Sequence, residues 1–156
     1  MGSEVNLRDV VQKDLPILFE HQREPEANQM ASFPARERDE FMVHWRKILE
    51  DKSVTKKVIL FQGKVAGNIV GFVQDGIHQV GYWLGKEFWG KKIATKALSQ
   101  FLEYVEIRPL YARVAKHNIG SIRVLEKCGF IISNEENANV TAANIGPEEY
   151  LFKLEE

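Results

Sequence analysis

At Gly85 the hydrophobic pattern changes period, and that change constrains the fold more than any other feature of the sequence. Before it, residues 57–84 read K-V-I-L-F-Q-G-K-V-A-G-N-I-V-G-F-V-Q-D-G-I-H-Q-V-G-Y-W-L. Two dipeptides that favour tight hairpins, Gln62-Gly63 and Asp75-Gly76, break this β-rich run and predict an antiparallel meander. From Lys91 to Ile107 the apolar residues Ala94, Ala97, Leu98, Phe101, Leu102 and Val105 share one stripe, with Lys92, Lys96, Gln100 and Glu103 opposite. That spacing predicts an amphipathic helix. Leu110 to Ala115 is strand-like again, so the strand, helix, strand unit predicts a right-handed parallel crossover inside an otherwise antiparallel sheet.

The remainder fits around this centre. Leu7 to Val11 reads as a first strand, Lys13 to Arg23 as a helix carrying Leu15, Leu18 and Phe19 at helical spacing, and Glu24 to Arg38, with two prolines, as a connection. Phe41, Trp45, Ile48 and Leu49 mark a second amphipathic helix ending near Asp51, with Phe41 and Trp45 in the core. A short helix is expected over Asn118 to Cys128, closing strands at F-I-I-S-N and E-Y-L-F-K-L, and a polar loop from Glu135 to Pro147. The expectation is one α+β domain over residues 1–156, built on a mixed, mostly antiparallel sheet flanked by helices.

Composition narrows the partners. The chain has 156 residues and a net charge of -1, from 21 basic and 22 acidic residues, without the cationic excess of a protein that grips nucleic acid nonspecifically. Its single cysteine, Cys128, allows no intrachain disulfide and no thiolate zinc cluster. No apolar run approaches the roughly 18 residues of a membrane span. A cytoplasmic protein that binds no nucleic acid, membrane or metal is expected, and the sequence leaves monomer and dimer both open.

The stretch G-K-E-F-W-G-K-K-I-A-T-K-A-L, Gly85 to Leu98, joins the meander to the long helix. A helix start leaves backbone N–H groups without intrahelical partners and carries partial positive charge, so it attracts anions. Lys86, Lys91, Lys92 and Lys96 surround this start. First turns ordinarily favour Asp and Glu, so the lysines oppose the helix dipole until an anion arrives, and Gly90 to Thr95 is the expected phosphate site. The same residues satisfy the first seven positions of a nucleotide P-loop, G-x-x-x-x-G-K, but Lys92 stands where a magnesium-holding Ser or Thr is needed. A P-loop nucleotide-binding protein is accordingly the lesser alternative.

V-G-Y-W-L-G-K-E-F-W-G-K-K-I-A-T-K-A-L, followed some twenty residues later by H-N-I-G-S-I-R-V-L-E-K-C-G-F, resembles the GNAT superfamily of acetyl-CoA-dependent N-acetyltransferases. Within it the pattern is most similar to the branch that includes the ribosomal-protein-alanine N-acetyltransferases. The resemblance implies acetyl-CoA as cosubstrate and an amine as acceptor, either a protein N-terminus or a small molecule. It implies that the coenzyme A pyrophosphate lies on Trp89, Gly90, Lys91, Lys92, Ile93, Ala94 and Thr95, and that the pantetheine arm pairs with backbone at Trp83 and Leu84. Asn118 and Ser121 then border the thiol end. The family usually has Gly where Lys92 stands here. Independently of the family, Asn118 is a good helix N-cap and Gly129 a good left-handed terminator.

Acetyl transfer to an amine needs a neutral nucleophile, donors for the oxyanion and a proton for the departing thiolate. Many relatives carry a Glu base just before the V-G-Y-W-L strand. Gln79 occupies that position, and the adjacent His78 should point to the other face unless a bulge re-aims it. His21 and Glu24 are further candidates, each also read as an ordinary surface residue. Many relatives supply the acid from a Tyr at the position of Leu125, for which Ser121 substitutes in this branch. The catalytic candidates are thus Ser121, Gln79 and His78. Because Gln79 and Leu125 replace two familiar catalytic residues, an acyl-CoA-binding module without turnover is the alternative.

Overall fold

The computed structural model describes residues 4–31, 34–133 and 149–156. In chain order these form β1 (Val5–Asp9), a 3-10 turn (Gln12–Asp14), α1 (Leu15–Gln22), α2 (Pro25–Ala31), α3 (Arg38–Glu50), β2 (Thr55–Phe61), β3 (Lys64–Gln74) and β4 (Ile77–Leu84). A second 3-10 turn (Lys86–Phe88), α4 (Ile93–Tyr104), β5 (Leu110–Ala115), α5 (Ile119–Lys127), β6 (Ile131–Ile132) and β7 (Glu149–Leu154) complete them. The strands make one sheet in the order β1-β2-β3-β4-β5-β7-β6. Its pairs are antiparallel except β4 with β5. The expected α+β fold with a parallel crossover at the helix start is therefore the one observed.

Both hairpin signals act through their backbone. Gln62 and Gly63 have φ of 51° and 81°, Asp75 and Gly76 of 54° and 79°. Two consecutive positive φ angles match the right-handed twist of the flanking strands, which is why such turns close tight hairpins. Asp75 also pairs with Arg113, tying the β3–β4 hairpin to β5.

Alternation along the strands separates two cores. Ile59 and Phe61 of β2 join Ile69, Val80 and the α4 residues Ala97, Leu98 and Phe101. Val58 and Leu60 join Leu15, Leu18, Phe19, Phe41 and Trp45. Of the stripe read on α4, Ala97, Leu98, Phe101 and Val105 are buried while Ala94 and Leu102 are half-buried, and Ile93, outside that stripe, is buried with them. The helix begins at Ile93 rather than Lys91 because Lys92 is left-handed, with φ of 63°.

Two expectations are corrected. Residues 25–31 are a helix rather than a connection, because Pro25 stands at its first position, where the missing N–H costs no hydrogen bond. The first strand spans Val5–Asp9 instead of Leu7 to Val11, since Val5 to Asp9 are the residues that pair with β2. The expected loop from Glu135 to Pro147 lies outside the described residues.

Candidate functional site

The β4–β5 ladder consists of one bridge, Gln79 with Tyr111, and the two strands part toward Leu84. A cleft of about 360 Å³ occupies the gap, running from the start of α4 to the start of α5. Tyr82, Trp83 and Leu84 wall one side, while Asn118 and Ser121 wall the other. Ala27, Met30 and Ala31 reach it from α2.

One wall depends on missing side chains. A Cβ at Gly67 would lie 2.1 Å from the Trp83 carbonyl oxygen, and one at Gly85 would lie 2.6 Å from His21 Cδ2. No ordinary contact is that short, so only glycine lets β3 and α1 approach β4 here. Trp83 is further fixed by its indole N–H, which donates to the His21 carbonyl at 3.1 Å.

At one end of the cleft, Gly90 with φ of 77° and Lys92 with φ of 63° turn the chain into α4. No side chain caps this helix start and no acidic residue lies in its first turn. The first α4 residue to donate back is Lys96, whose N–H reaches the Lys92 carbonyl at 3.3 Å, so the preceding amides of Ile93, Ala94 and Thr95 have no intrahelical acceptor. Left-handed backbone at a lysine costs about 1–2 kcal/mol. Trp89, Gly90, Lys92, Ile93, Ala94 and Thr95 all line the cleft, whereas Lys91 is exposed beside it. Arg123 and Lys127, one turn apart on α5, add cationic lining that the sequence reading missed.

At the other end, the Asn118 side chain accepts from the Ser121 amide at 3.3 Å, the expected N-cap of α5. Gly129 has φ of 94°, the left-handed terminator. The Tyr82 hydroxyl donates to Ser121 Oγ at 2.8 Å. Burial pushes the Tyr82 phenol up to about 12, against the opposing effect of the Ser121 hydrogen bond. Tyr82 also escaped the sequence reading, although its alternation with Trp83 on β4 signals that it faces α5. Cys128 is half-buried, with its thiol on the Thr95 carbonyl at 3.6 Å. Burial raises its pKa, which keeps it protonated and unsuited to nucleophilic attack.

Other candidates lie elsewhere. Gln79 is buried, does not line the cleft, and donates its amide N–H to the Gln74 carbonyl at 3.0 Å. His78 is exposed opposite Val73, and the β3–β4 register runs without a bulge, so nothing turns it toward Gln79's face. His21 is buried, not a surface residue, and packs edge-on against Phe88 behind Gly85. Desolvation lowers its pKa, partly offset by Glu87. Glu24 shares Lys86 with Glu26, at 3.7 and 2.9 Å. With the bond between His117 Nε2 and the Gln29 carbonyl at 2.9 Å, this pair ties α2 to both arms of the opening.

Known proteins share this architecture. The aminoglycoside acetyltransferase AAC(6')-Ib in complex with coenzyme A is 17% identical, with a TM-score of 0.78 over 98% of this chain and 95% of that one. Spermidine N-acetyltransferase from Vibrio cholerae, in complex with CoA and spermine, is 18% identical, with a TM-score of 0.75 over 96% and 92%. Among curated proteins, "Putative ribosomal N-acetyltransferase YdaF" of Bacillus subtilis (strain 168) is 29% identical over 101 residues, 60% of this chain. That alignment spans 55% of the Bacillus protein's length. The profile of the acetyltransferase (GNAT) domain matches residues 4–131. The profile covers most of the sequence and the split sheet carries its cleft between β4 and β5, and on these grounds the chain belongs to the GNAT acetyltransferase family.

Proposed function

We propose that the chain transfers an acetyl group from acetyl-CoA to a primary amine by direct attack in a ternary complex. One observation carries the reading: a single cleft joins an uncapped, lysine-flanked helix start to a part-buried hydroxyl pair between β4 and α5. A diphosphate suits the first end, and a thioester suits the second.

In this reading the amides and turn formed by Trp89, Gly90, Lys91, Lys92, Ile93, Ala94 and Thr95 hold the pyrophosphate, with Lys92, Arg123 and Lys127 supplying charge. Pantetheine lies along the backbone of Trp83 and Leu84. Asn118 fixes the first turn of α5, and Ser121 meets the sulfur. The neutral amine attacks the thioester carbonyl, the C–N bond forms, the C–S bond breaks, and the thiolate gains a proton. A thiol with a pKa of about 8.5 is a tolerable leaving group, so positioning supplies much of the rate. Neither Gln79, held by Gln74, nor His78 on the far face touches the cleft, and the proton shed by nitrogen leaves through water. No metal is required.

The acceptor enters beneath α2, toward the C-terminal strands. The amines named with the solved relatives include spermine and kanamycin, and the Bacillus relative carries a ribosomal N-acetyltransferase name. A peptide N-terminus and a polyamine are thus both substrates worth testing. We assign the reaction to the cytoplasm, where the lone Cys128 stays reduced.

Calorimetry with acetyl-CoA, followed by thiol release with spermine, kanamycin and a peptide bearing a free N-terminal alanine, tests the proposal. Saturable binding and release that depends on one amine support it. Binding without any amine-dependent release leaves the acyl-CoA-binding module, and no binding overturns both.

A further inference from the structure

The Tyr82 and Ser121 hydroxyl oxygens lie 2.8 Å apart, and of the two the phenol is the more acidic and so the better donor, which assigns the Tyr82 proton to Ser121 Oγ. The Ser121 backbone N–H is separately committed to Asn118 Oδ1 at 3.3 Å. Ser121 Oγ therefore accepts from Tyr82 and keeps its own O–H for a different acceptor. Among the described residues no protein acceptor takes that proton, and both side chains line the cleft. Hydroxyl hydrogens turn freely unless a partner fixes them, so a permanent donor on one side of Oγ decides where the serine proton points.

We propose that Tyr82 is a positioning residue for acetyl transfer: it occupies a lone pair of Ser121 Oγ and so aims the serine proton at the sulfur that leaves as coenzyme A thiolate. This rests on the thiol-end role assigned to Ser121 above. As the C–S bond breaks, Ser121 Oγ–H hydrogen-bonds and then protonates the sulfur. Oγ recovers, through water, the proton that the acylated nitrogen sheds, so amine and thioester become amide and thiol with no net proton change. Tyr82 keeps its proton throughout. Its phenol lies in a desolvated setting beside Cys128, with no cation against it among the described residues, which disfavours the phenolate and suits a fixed donor over a proton source. The two residues are 39 positions apart in sequence, and only the return of α5 against β4 unites them.

A double-mutant cycle tests this. Tyr82→Phe keeps the ring and removes only the donor, while Ser121→Ala removes the acceptor. Kinetics are read as thiol release with acetyl-CoA and whichever panel amine the wild type turns over fastest, or as acetyl-CoA hydrolysis if none is turned over. Ser121→Ala is expected to lower kcat by about 100-fold. Tyr82→Phe is expected to lower it by about tenfold, the rate equivalent of one neutral hydrogen bond, with KM for acetyl-CoA changed less than about twofold. On the Ser121→Ala background, Tyr82→Phe should change kcat by less than about twofold. Coenzyme A calorimetry on each variant confirms an intact cleft. If the two effects multiply, or Tyr82→Phe acts on KM alone, Tyr82 does not work through Ser121 and the inference is overturned while the Ser121 role survives. If Ser121→Ala retains full kcat, the underlying Ser121 reading fails and takes the inference with it.

Discussion

The two ends of the cleft are built from different materials. At the α4 end the contacts on offer are backbone amides in a turn whose shape depends on Gly90 and a left-handed Lys92. At the α5 end they are side-chain hydroxyls, Tyr82 bonded to Ser121 Oγ, while Asn118 holds the Ser121 backbone N–H. Backbone donors tolerate many side chains but few φ angles. Side-chain donors tolerate many backbones but few residue types. The first end should therefore fail when the chain is bent, and the second when an atom is deleted.

The division breaks where both ends share a wall, and there the largest effect is expected. Gly67→Ala would drive a methyl group into the Trp83 carbonyl oxygen, 2.1 Å from the built Cβ. Neither atom is on a flexible side chain, so β3 and β4 must separate. A loss of about 3 kcal/mol is expected, read as the midpoint of denaturant unfolding. Coenzyme A affinity and turnover should fall together in whatever fraction remains folded. Loss of one without the other would mean that the ends do not share this wall.

Salt separates the ends more gently. Lys92, Arg123 and Lys127 line the cleft, and their attraction for phosphate is screened as the Debye length shrinks from about 10 Å at 0.1 M salt to about 3 Å at 1 M. KM for acetyl-CoA should rise roughly three- to tenfold over that range, while kcat, set at the neutral hydroxyl pair, stays within about twofold. An equal salt effect on kcat would place charge at the thiol end.

Lys92→Gly sharpens the same contrast at lower cost. Lysine at φ of 63° is strained, and glycine is not, but glycine loses more chain entropy on folding. The net gain in stability should be under about 1 kcal/mol. Thermal melting without ligand measures it, and a fall in melting temperature would show that the strain relieved at position 92 is smaller than the chain entropy glycine loses.

The contrast also explains what the sequence disclosed. The α4 end was legible because glycine spacing and a change of hydrophobic period are local signals, and the hairpins at Gln62-Gly63 and Asp75-Gly76 were legible for the same reason. The cap at Asn118 lies within three residues of its partner. Tyr82 was not legible as a functional group, since its partner is 39 residues away. Nor was α2. Its proline read as a break, and what fixes the helix is tertiary: Lys86 pairing with Glu26, His117 with the Gln29 carbonyl, and Asn28 with the Gln22 carbonyl at 2.9 Å. His21 read as surface because nothing in the local pattern reveals that Gly85 leaves room for its ring.

The smallest effect expected is on stability as pH falls, and it again distinguishes the ends. Desolvation lowers the pKa of buried His21, behind Gly85, from the ordinary 6.5. His44 on α3 is lowered too, by desolvation first and then by Arg36 and Lys47. A histidine whose folded pKa is depressed binds fewer protons folded than unfolded, so stability is full above about 6.5 and is lost as pH falls through the folded value. Melting temperature should thus drop on acidification below about pH 6.5, and the drop should persist in His44→Gln if His21 contributes. Tyr82, pushed up to about 12, keeps its proton across this whole interval. Mild acid therefore loosens the wall behind the phosphate turn and leaves the Tyr82–Ser121 hydrogen bond unchanged, an asymmetry that disappears if His44→Gln melts at the same temperature on both sides of pH 6.5.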